Sequence, residues 1–261
     1  MRTILFLQFF AVALTAQLNV DVYLNEAREH AAKQDYEGAV KIYSKAIEEY
    51  PGDLRPYLER GHRYLNLRHF KKGIADLKKA EDTIQGSSEV AYHLGLGYYL
   101  KGDYKKALKT FDTCLNSKST AVGQETEYRS CGPDKERYPG GRMDMIAWAY
   151  RAAQHSGKTE RASAILSSVK PGLKLSGGSE SYYKTLLYYQ GKLSAEQAMA
   201  GLKGPAFVGV SYGVGDSLML AGKTAEACPI LKRAADDKEG HYGWGAIASE
   251  KEFKKYCSIA H

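Results

Sequence analysis

The chain has 261 residues and a formal net charge of +7. This length is sufficient for a substantial core. The positive charge suits acidic partners or an anionic surface, although solvated lysines on outer helix faces better explain most of it. No DNA- or RNA-binding motif accompanies the charge, so we expect no nucleic-acid partner.

Residues 1–16 have the composition of a secretory signal peptide. Arg2 precedes the apolar core ILFLQFFAVAL, and the small-residue exit TA follows, with cleavage expected after Ala13 or Ala16. The apolar run is shorter than the ~20 residues of a spanning helix, which favours export over a membrane anchor. Nothing later in the sequence could cross a membrane. We therefore expect an exported protein, in the bacterial periplasm or outside the cell.

Short turn-forming segments recur along the chain at a nearly fixed distance. They begin at Gln34, Arg68, Gly102, Gly157, Gly191 and Gly222. Successive starts are 34 residues apart, except that the last interval is 31 and the interval from 102 to 157 contains 21 additional residues. A period of 34 indicates an array of helix–turn–helix repeats.

The third repeat, AYHLGLGYYLKGDYKKALKTFDTCL, resembles the tetratricopeptide repeat family. The signature places are occupied by Leu94, Gly95, Tyr98, Gly102, Tyr104, Ala107 and Phe111. The resemblance implies an all-α fold, an α-solenoid of stacked antiparallel helix pairs with about six units and a C-terminal capping helix whose lysines face water. The expected organisation is three units in residues 17–117, a polar insertion loop in 118–141, and degenerate units with the capping helix in 142–261.

Small residues and capping residues support these helix pairs. Glycine at Gly61, Gly95 and Gly215 allows the first helix of a unit to approach the second closely, and alanine acts in the same way at Ala39, Ala107 and Ala227. Helix N-caps are predicted at Asp35, Asp103 and Thr224. Ser194 followed by Gln197 has the spacing of a capping box.

Gly222-Lys223-Thr224 and Gly157-Lys158-Thr159 both match the end of a nucleotide-binding P-loop. The pattern requires an earlier glycine and a preceding strand. Ser217 and Ala152 stand where that glycine is needed, and both preceding segments have the spacing of helices. These tripeptides are therefore predicted to be turns between helices, and we expect no ATP and no other cofactor.

The C-terminal half is also similar to a group of exported bacterial tetratricopeptide proteins. The resemblance rests on SYGVGDSLMLAGKTAEACPILKRA and on the tail YGWGAIASEKEF, in which Trp244-Gly245 replaces Phe-Gly. It supports the fold and the exported location and implies no particular chemistry.

Four cysteines are compatible with two disulfides in an oxidising compartment. Cys114 and Cys131 are 17 residues apart in the sequence. Cys228 lies at the start of a predicted helix, and the final helix, which contains Cys257, should run antiparallel beside it. We therefore predict the pairs Cys114–Cys131 and Cys228–Cys257. The spacing lacks a C-x-x-C motif, so no zinc or other metal site is expected.

The family resemblance implies a protein-binding or peptide-binding groove on the concave surface formed by the first helices. Its predicted members are Leu24, Arg28, Arg55, Leu58, His62, Leu65, Asn66, Tyr92, Leu96 and Tyr99. The mixture of apolar and basic groups suits an extended peptide with acidic and hydrophobic side chains. The alternative is that the leucines and tyrosines pack inside the array. Glu59 and His93 stand where the family's carboxylate clamp has asparagine and arginine, which argues against a chaperone-tail ligand.

Two other functions remain open. A structural subunit of a cell-envelope assembly would use the tyrosine-rich faces as an interface. A hydrolase would use Cys131 or His155, but no paired carboxylates or nucleophile motif accompanies them, so we expect no enzyme.

Overall fold

The computed structural model describes residues 20–81, 86–117, 131 and 142–258, and within these ranges the chain consists of helices joined by turns. The predicted signal peptide lies outside the described residues, as does the predicted insertion apart from Cys131. The chain divides into two compact units, Met1–Gln85 and Gly86–His261. This division falls inside the segment that the sequence suggests as three consecutive repeats.

The first unit contains two helix pairs. Helix α1 spans residues 20–32, α2 Tyr36–Glu49, α3 Arg55–Asn66 and α4 Phe70–Glu81. Helix α3 packs against both α2 and α4. One core cluster joins α1 to α2 and contains Val20, Leu24, Ala27, Ala39, Ile42 and Tyr43.

The second unit contains four further helix pairs and a terminal helix. The helices are α5 Ser88–Lys101, α6 Tyr104–Leu115, α7 Met143–His155, α8 Thr159–Ser167, α9 Gly178–Tyr189, α10 Ala195–Met199, α11 Gly204–Leu220, α12 Thr224–Ala235 and α13 Trp244–Glu252. Helix α13 continues as a π-helical turn, Phe253–Cys257. The predicted all-α repeat architecture is confirmed: each pair packs internally, and α6 against α7, α7 against α9, α9 against α11 and α11 against α13 connect successive pairs.

The same backbone conformation occurs in the turn that joins the two helices of each of the six pairs. The first residue of each predicted turn segment has a positive φ: Gln34 61°, Arg68 62°, Gly102 96°, Gly157 70°, Gly191 70° and Gly222 74°. Glycine adopts this left-handed conformation without a steric penalty. Gly222 and Lys223 thus lie in the predicted turn between α11 and α12, and Thr224 is the first residue of α12. Lys223 pairs with Glu226 at 3.5 Å.

Glycine also permits close packing inside the pairs. A Cβ atom placed on Gly95 in α5 would lie 2.3 Å from Cε1 of Phe111 in α6. At Gly61 the corresponding contact would be 2.8 Å from Leu77, and at Gly215 it would be 2.6 Å from Leu231. All three distances are shorter than a normal carbon–carbon contact, so only glycine allows these helices to approach as they do.

Most of the predicted helix caps are present. The side chain of Asp35 accepts a hydrogen bond from the Gly38 amide, and Asp103 does the same for Lys106. Ser194 and Gln197 form a complete capping box. The predicted Thr224 cap is wrong: α12 begins at Thr224, so the N-cap position belongs to Lys223, whose side chain makes no capping hydrogen bond.

The four cysteines occur in the two predicted pairs. Cys114 at the end of α6 is bonded to Cys131, and Cys228 in α12 is bonded to Cys257 in the π-helical turn. The second bridge fixes the end of the terminal helix to α12. With Cys131 in a disulfide, no thiol is available there for the hydrolase alternative.

Candidate functional site

The predicted groove residues of the first unit separate into two groups. Three leucines and one asparagine are buried and contribute to the interior: Leu24, Leu58, Leu65 and Asn66. Three basic residues, Arg28, Arg55 and His62, are only partly buried. Contact of the first unit with a ligand would therefore involve the basic residues of α1 and α3, while the apolar residues hold these helices in place.

Acidic residues already accompany the two arginines of this group. Arg28 lies 3.3 Å from Glu59, whose other carboxylate oxygen lies 3.4 Å from Arg63. Arg55 contacts both Asp21 and Asp53 at 2.6 Å. The result is a surface on which positive and negative side chains alternate.

In the second unit, side chains from the inner helices contact one another directly. Tyr99 in α5 is buried, and its hydroxyl lies 2.6 Å from that of Tyr212 in α11. The partly buried Tyr92 makes a similar contact of 3.1 Å with Tyr182 in α9. Leu96 between them is fully buried. Tyr92 and Tyr99, two of the three groove residues predicted in α5, therefore face helices of later repeats, and the third, Leu96, is part of the interior.

Trp148 and the terminal helix add further contacts between the inner helices of the second unit. The indole N–H of Trp148 in α7 donates to the Tyr182 hydroxyl at 3.3 Å. Trp244 at the start of α13 packs edge-on against His93 in α5, with ring centroids 6.1 Å apart. Helix α13 therefore connects the last repeat of the second unit to the first, and the inner face is filled by the unit's own aromatic side chains.

A chain of buried polar groups crosses this interior. His155 Nε2 donates to Asp216 Oδ1 at 2.6 Å, and the Tyr212 hydroxyl donates to the same oxygen at 3.4 Å. The 2.6 Å contact between the Tyr99 and Tyr212 hydroxyls extends this chain to α5. Burial raises the pKa of both tyrosines well above the usual value, so they remain neutral donors. The chain thus provides Asp216 with two donors away from water.

Arg151 lies in the same interior and is only 1% exposed. Its Nε donates to the Tyr189 hydroxyl at 2.8 Å. Its guanidinium carbon lies 4.5 Å from the ring centroid of Trp148 and 5.4 Å from that of Tyr212. Aromatic faces attract a cation, so the charge is placed among rings and a hydroxyl. In the part of the chain that the structure describes, no carboxylate forms an ion pair with it.

A second acidic group lies near the terminal helix. Glu252 in α13 is buried, and Tyr104 in α6 donates to it at 3.4 Å. Burial and the nearby Asp216 carboxylate raise the pKa of Glu252. The neighbouring Lys251 is partly buried over the Tyr104 ring, and this burial lowers the pKa of Lys251. The expectation that the lysines of the capping helix all face water is therefore wrong at Lys251, although Lys254 and Lys255 are exposed.

The sequence contains a signal for these interior charges that the repeat pattern concealed. Arg151 and Asp216 are isolated charges in helical segments that are otherwise small, apolar or aromatic, and both segments are buried along most of their length. A charge inside such a segment requires a buried partner or a ligand.

The described ranges show neither a cluster of three or more metal-binding side chains nor a helix long and apolar enough to cross a membrane. The expectations of no metal site and of no later membrane-spanning segment apply to the whole sequence, including residues outside these ranges, and so they stay predictions.

Comparison with known families identifies the repeats. Residues 20–53 and 89–117 each match a model described as a tetratricopeptide repeat. The two matched segments correspond to the α1–α2 pair and to the α5–α6 pair, one in each compact unit.

Two curated proteins show the extent of the sequence similarity. Serine/threonine-protein phosphatase 5 of Mus musculus is 26% identical over 106 residues, which cover 41% of this chain and 21% of the phosphatase. Protein SGT1 homolog of Bos taurus is 30% identical over 79 residues, covering 30% of this chain and 23% of that protein. The matched regions thus span less than a quarter of each relative's length.

Two solved structures show the extent of the structural similarity. A crystal structure of MamA protein is 15% identical, with a TM-score of 0.47 and coverage of 91% of this chain and 94% of MamA. The P58(IPK) TPR domain is 16% identical, with a TM-score of 0.35 and coverage of 93% and 67%.

Proposed function

We propose that this tetratricopeptide repeat protein is a non-enzymatic scaffold that binds a protein or an extended peptide through its first unit. The observation that carries the proposal is the difference between the two units. In the second unit, the inner helices are joined by Tyr99–Tyr212 and Tyr92–Tyr182 contacts. In the first unit, polar side chains of α1 and α3 remain partly exposed and can exchange their contacts for those of a ligand.

The side chains of this face define the kind of partner. Arg28 retains a side-chain exposure of 38% beside Glu59, and Arg55 is more enclosed, between two aspartates. An acidic side chain of a partner could replace Glu59 at Arg28, which is a charge-assisted contact. The Glu59 carboxylate, released from Arg28, would then pair with a basic group of the partner. We therefore propose an extended segment with acidic residues, in keeping with the positive net charge of the chain.

Site-specific photocrosslinking tests this assignment in the full-length protein. A benzophenone amino acid at position 62 should capture a discrete partner from an extract of the source cells, whereas the same group at the exposed position 41 on α2 should not. The captured partner is then purified and titrated. Replacing Arg28, Arg55 and His62 with alanine should weaken binding at least tenfold, and the control pair Lys41→Ala, Lys45→Ala should leave it unchanged. Equal binding by both variants would refute the assignment to the first unit.

We further propose that the protein is exported. Two observations support this location: residues 1–16 have the pattern of a signal peptide, and all four cysteines pair in disulfides, which persist in oxidising compartments. Fractionation of the source cells, followed by the intact mass of the protein, tests the proposal. Recovery of the full-length, reduced chain from the cytoplasm would contradict it.

A further inference from the structure

Arg151 has more hydrogen-bonding capacity than its surroundings satisfy. Nε donates to Tyr189, but the two terminal nitrogens, Nη1 and Nη2, are buried and have no hydrogen-bond partner among the described residues. An arginine carries five N–H donors and cannot lose its charge in a protein. Four donors of a permanent cation are therefore directed into the interior of the second unit without an acceptor.

The carboxylates of the unit do not compensate this charge. Asp216 accepts hydrogen bonds from His155 and Tyr212 and forms no ion pair with Arg151. Glu252 is engaged by Tyr104. The Trp148 and Tyr212 rings lie against the guanidinium and attract it, but ring faces do not replace the acceptors that Nη1 and Nη2 lose when they leave water.

Helix α11 has a glycine, Gly213, at the point where it faces Arg151. A Cβ atom on Gly213 in α11 would lie 2.8 Å from Nη2 and 2.4 Å from the methyl group of Thr185. Glycine at this position therefore leaves space for Arg151 Nη2 beside the backbone of α11. The Tyr189 hydroxyl, which accepts from Arg151 Nε, donates in turn to the Gly213 carbonyl at 3.3 Å and fixes the guanidinium in this orientation.

We propose that Nη1 and Nη2 of Arg151 bind a small monovalent anion of the carboxylate or halide class inside the second unit. A guanidinium presents two parallel donors to such an anion, and burial strengthens the contact. Because both nitrogens are inaccessible to solvent, the anion enters by local opening of the surrounding side chains. Binding is therefore slow and retains the closed arrangement of the inner helices.

The first test is anion-dependent thermal unfolding of the full-length protein. The wild type is equilibrated overnight in chloride or acetate, with gluconate at matched ionic strength as the large-anion control. Arg151→Met removes the guanidinium that is proposed to bind the anion. Arg161→Met is the matched control, because Arg161 pairs with Asp112 at a partly exposed site. The midpoint of the wild type and of Arg161→Met should rise saturably, by about 5–10 °C at a hundredfold excess over Kd. Arg151→Met should show no such rise.

The two anion classes and the remaining explanations give different results. A saturable shift with acetate but not chloride identifies a carboxylate, and the reverse identifies a halide. The absence of a saturable shift with either anion, or an equal shift in Arg151→Met, would overturn the proposal in favour of the aromatic rings or a water molecule as the only partners.

A second measurement applies if Arg151→Met does not fold. Crystals of the wild type grown in bromide should show an anomalous peak within hydrogen-bonding distance of Nη1 or Nη2 for a halide site. If bromide is absent, difference density for formate in crystals grown with that anion should appear there instead. Crystals that show neither ligand at Arg151 would refute the proposal.

Discussion

Substitution of Gly95 by alanine tests the helix packing of the second unit most directly. The new Cβ atom would lie 2.3, 2.6 and 2.7 Å from three ring carbons of Phe111, whereas carbon atoms normally pack at about 3.5–4.0 Å. Phe111 is fully buried, so its ring cannot move into solvent. Either α5 and α6 separate by roughly 1 Å or the ring leaves its rotamer.

The expected loss of stability follows from two opposing effects. Overpacking of this severity costs about 3 kcal/mol, and alanine recovers about 1 kcal/mol relative to glycine within a helix. The net destabilisation is then about 2 kcal/mol, or a fall of roughly 4–8 °C in the unfolding midpoint. Urea unfolding followed by circular dichroism measures the free energy, and differential scanning calorimetry gives the midpoint.

Gly209→Ala is the matched control, because Gly209 also lies in a first helix of a pair, α11, but a Cβ there meets nothing within 4 Å. It should be neutral or stabilising by up to ~1 kcal/mol. The double variant Gly95→Ala, Phe111→Leu should recover part of the loss, since the smaller side chain vacates the overlapping volume. If Gly95→Ala is as stable as Gly209→Ala, the close approach of α5 and α6 is incorrect.

Three further predictions concern a turn residue, a buried carboxyl group and a disulfide. Gln34→Gly should stabilise the first unit by about 0.5–1 kcal/mol, because a non-glycine residue there has a φ of 61°; a lower urea midpoint would contradict this. Glu252→Gln should stabilise the protein at pH 7 and have little effect near pH 4: a raised folded-state pKa means that stability falls as pH rises from the unfolded to the folded pKa and is constant above it, so identical pH profiles of midpoint for variant and wild type would exclude the burial of this carboxyl. Replacing Cys228 and Cys257 by serine should cost about 3 kcal/mol and increase hydrogen exchange in α13, and unchanged exchange would show that packing alone holds this helix.

The repeat boundaries could be predicted from the sequence because they depend on local chemistry. The turn segments at Gly102, Gly157 and Gly222 require a left-handed residue and are recognisable as glycine at a constant period. The misplaced cap at Thr224 illustrates the limit of that approach. A one-residue difference in where a helix begins is decided by the turn geometry and not by the preference of threonine for N-caps.

The interior of the second unit could not be predicted in the same way. The family register assigns Tyr99 and Leu96 to an inner face, and this assignment alone does not show whether the face is open or filled. The partners of Tyr99 lie in α7 and α11, and the sequence separation from Tyr212 is 113 residues. Contacts of this kind depend on how several helix pairs stack together, and a repeat motif describes only one pair.

Contacts between the first and the last repeats of the second unit also determine how this part of the chain folds. In an ordinary repeat array each repeat contacts only its neighbours, so folding can begin at any repeat and the ends fray independently. Here Tyr99–Tyr212 and Tyr104–Glu252 join residues 113 and 148 positions apart. Because long loops must close before these contacts can form, the contacts stabilise the unit only after most of its repeats have folded. The second unit should therefore fold more slowly than its helical content suggests, and in a single step in which the terminal repeats do not unravel separately.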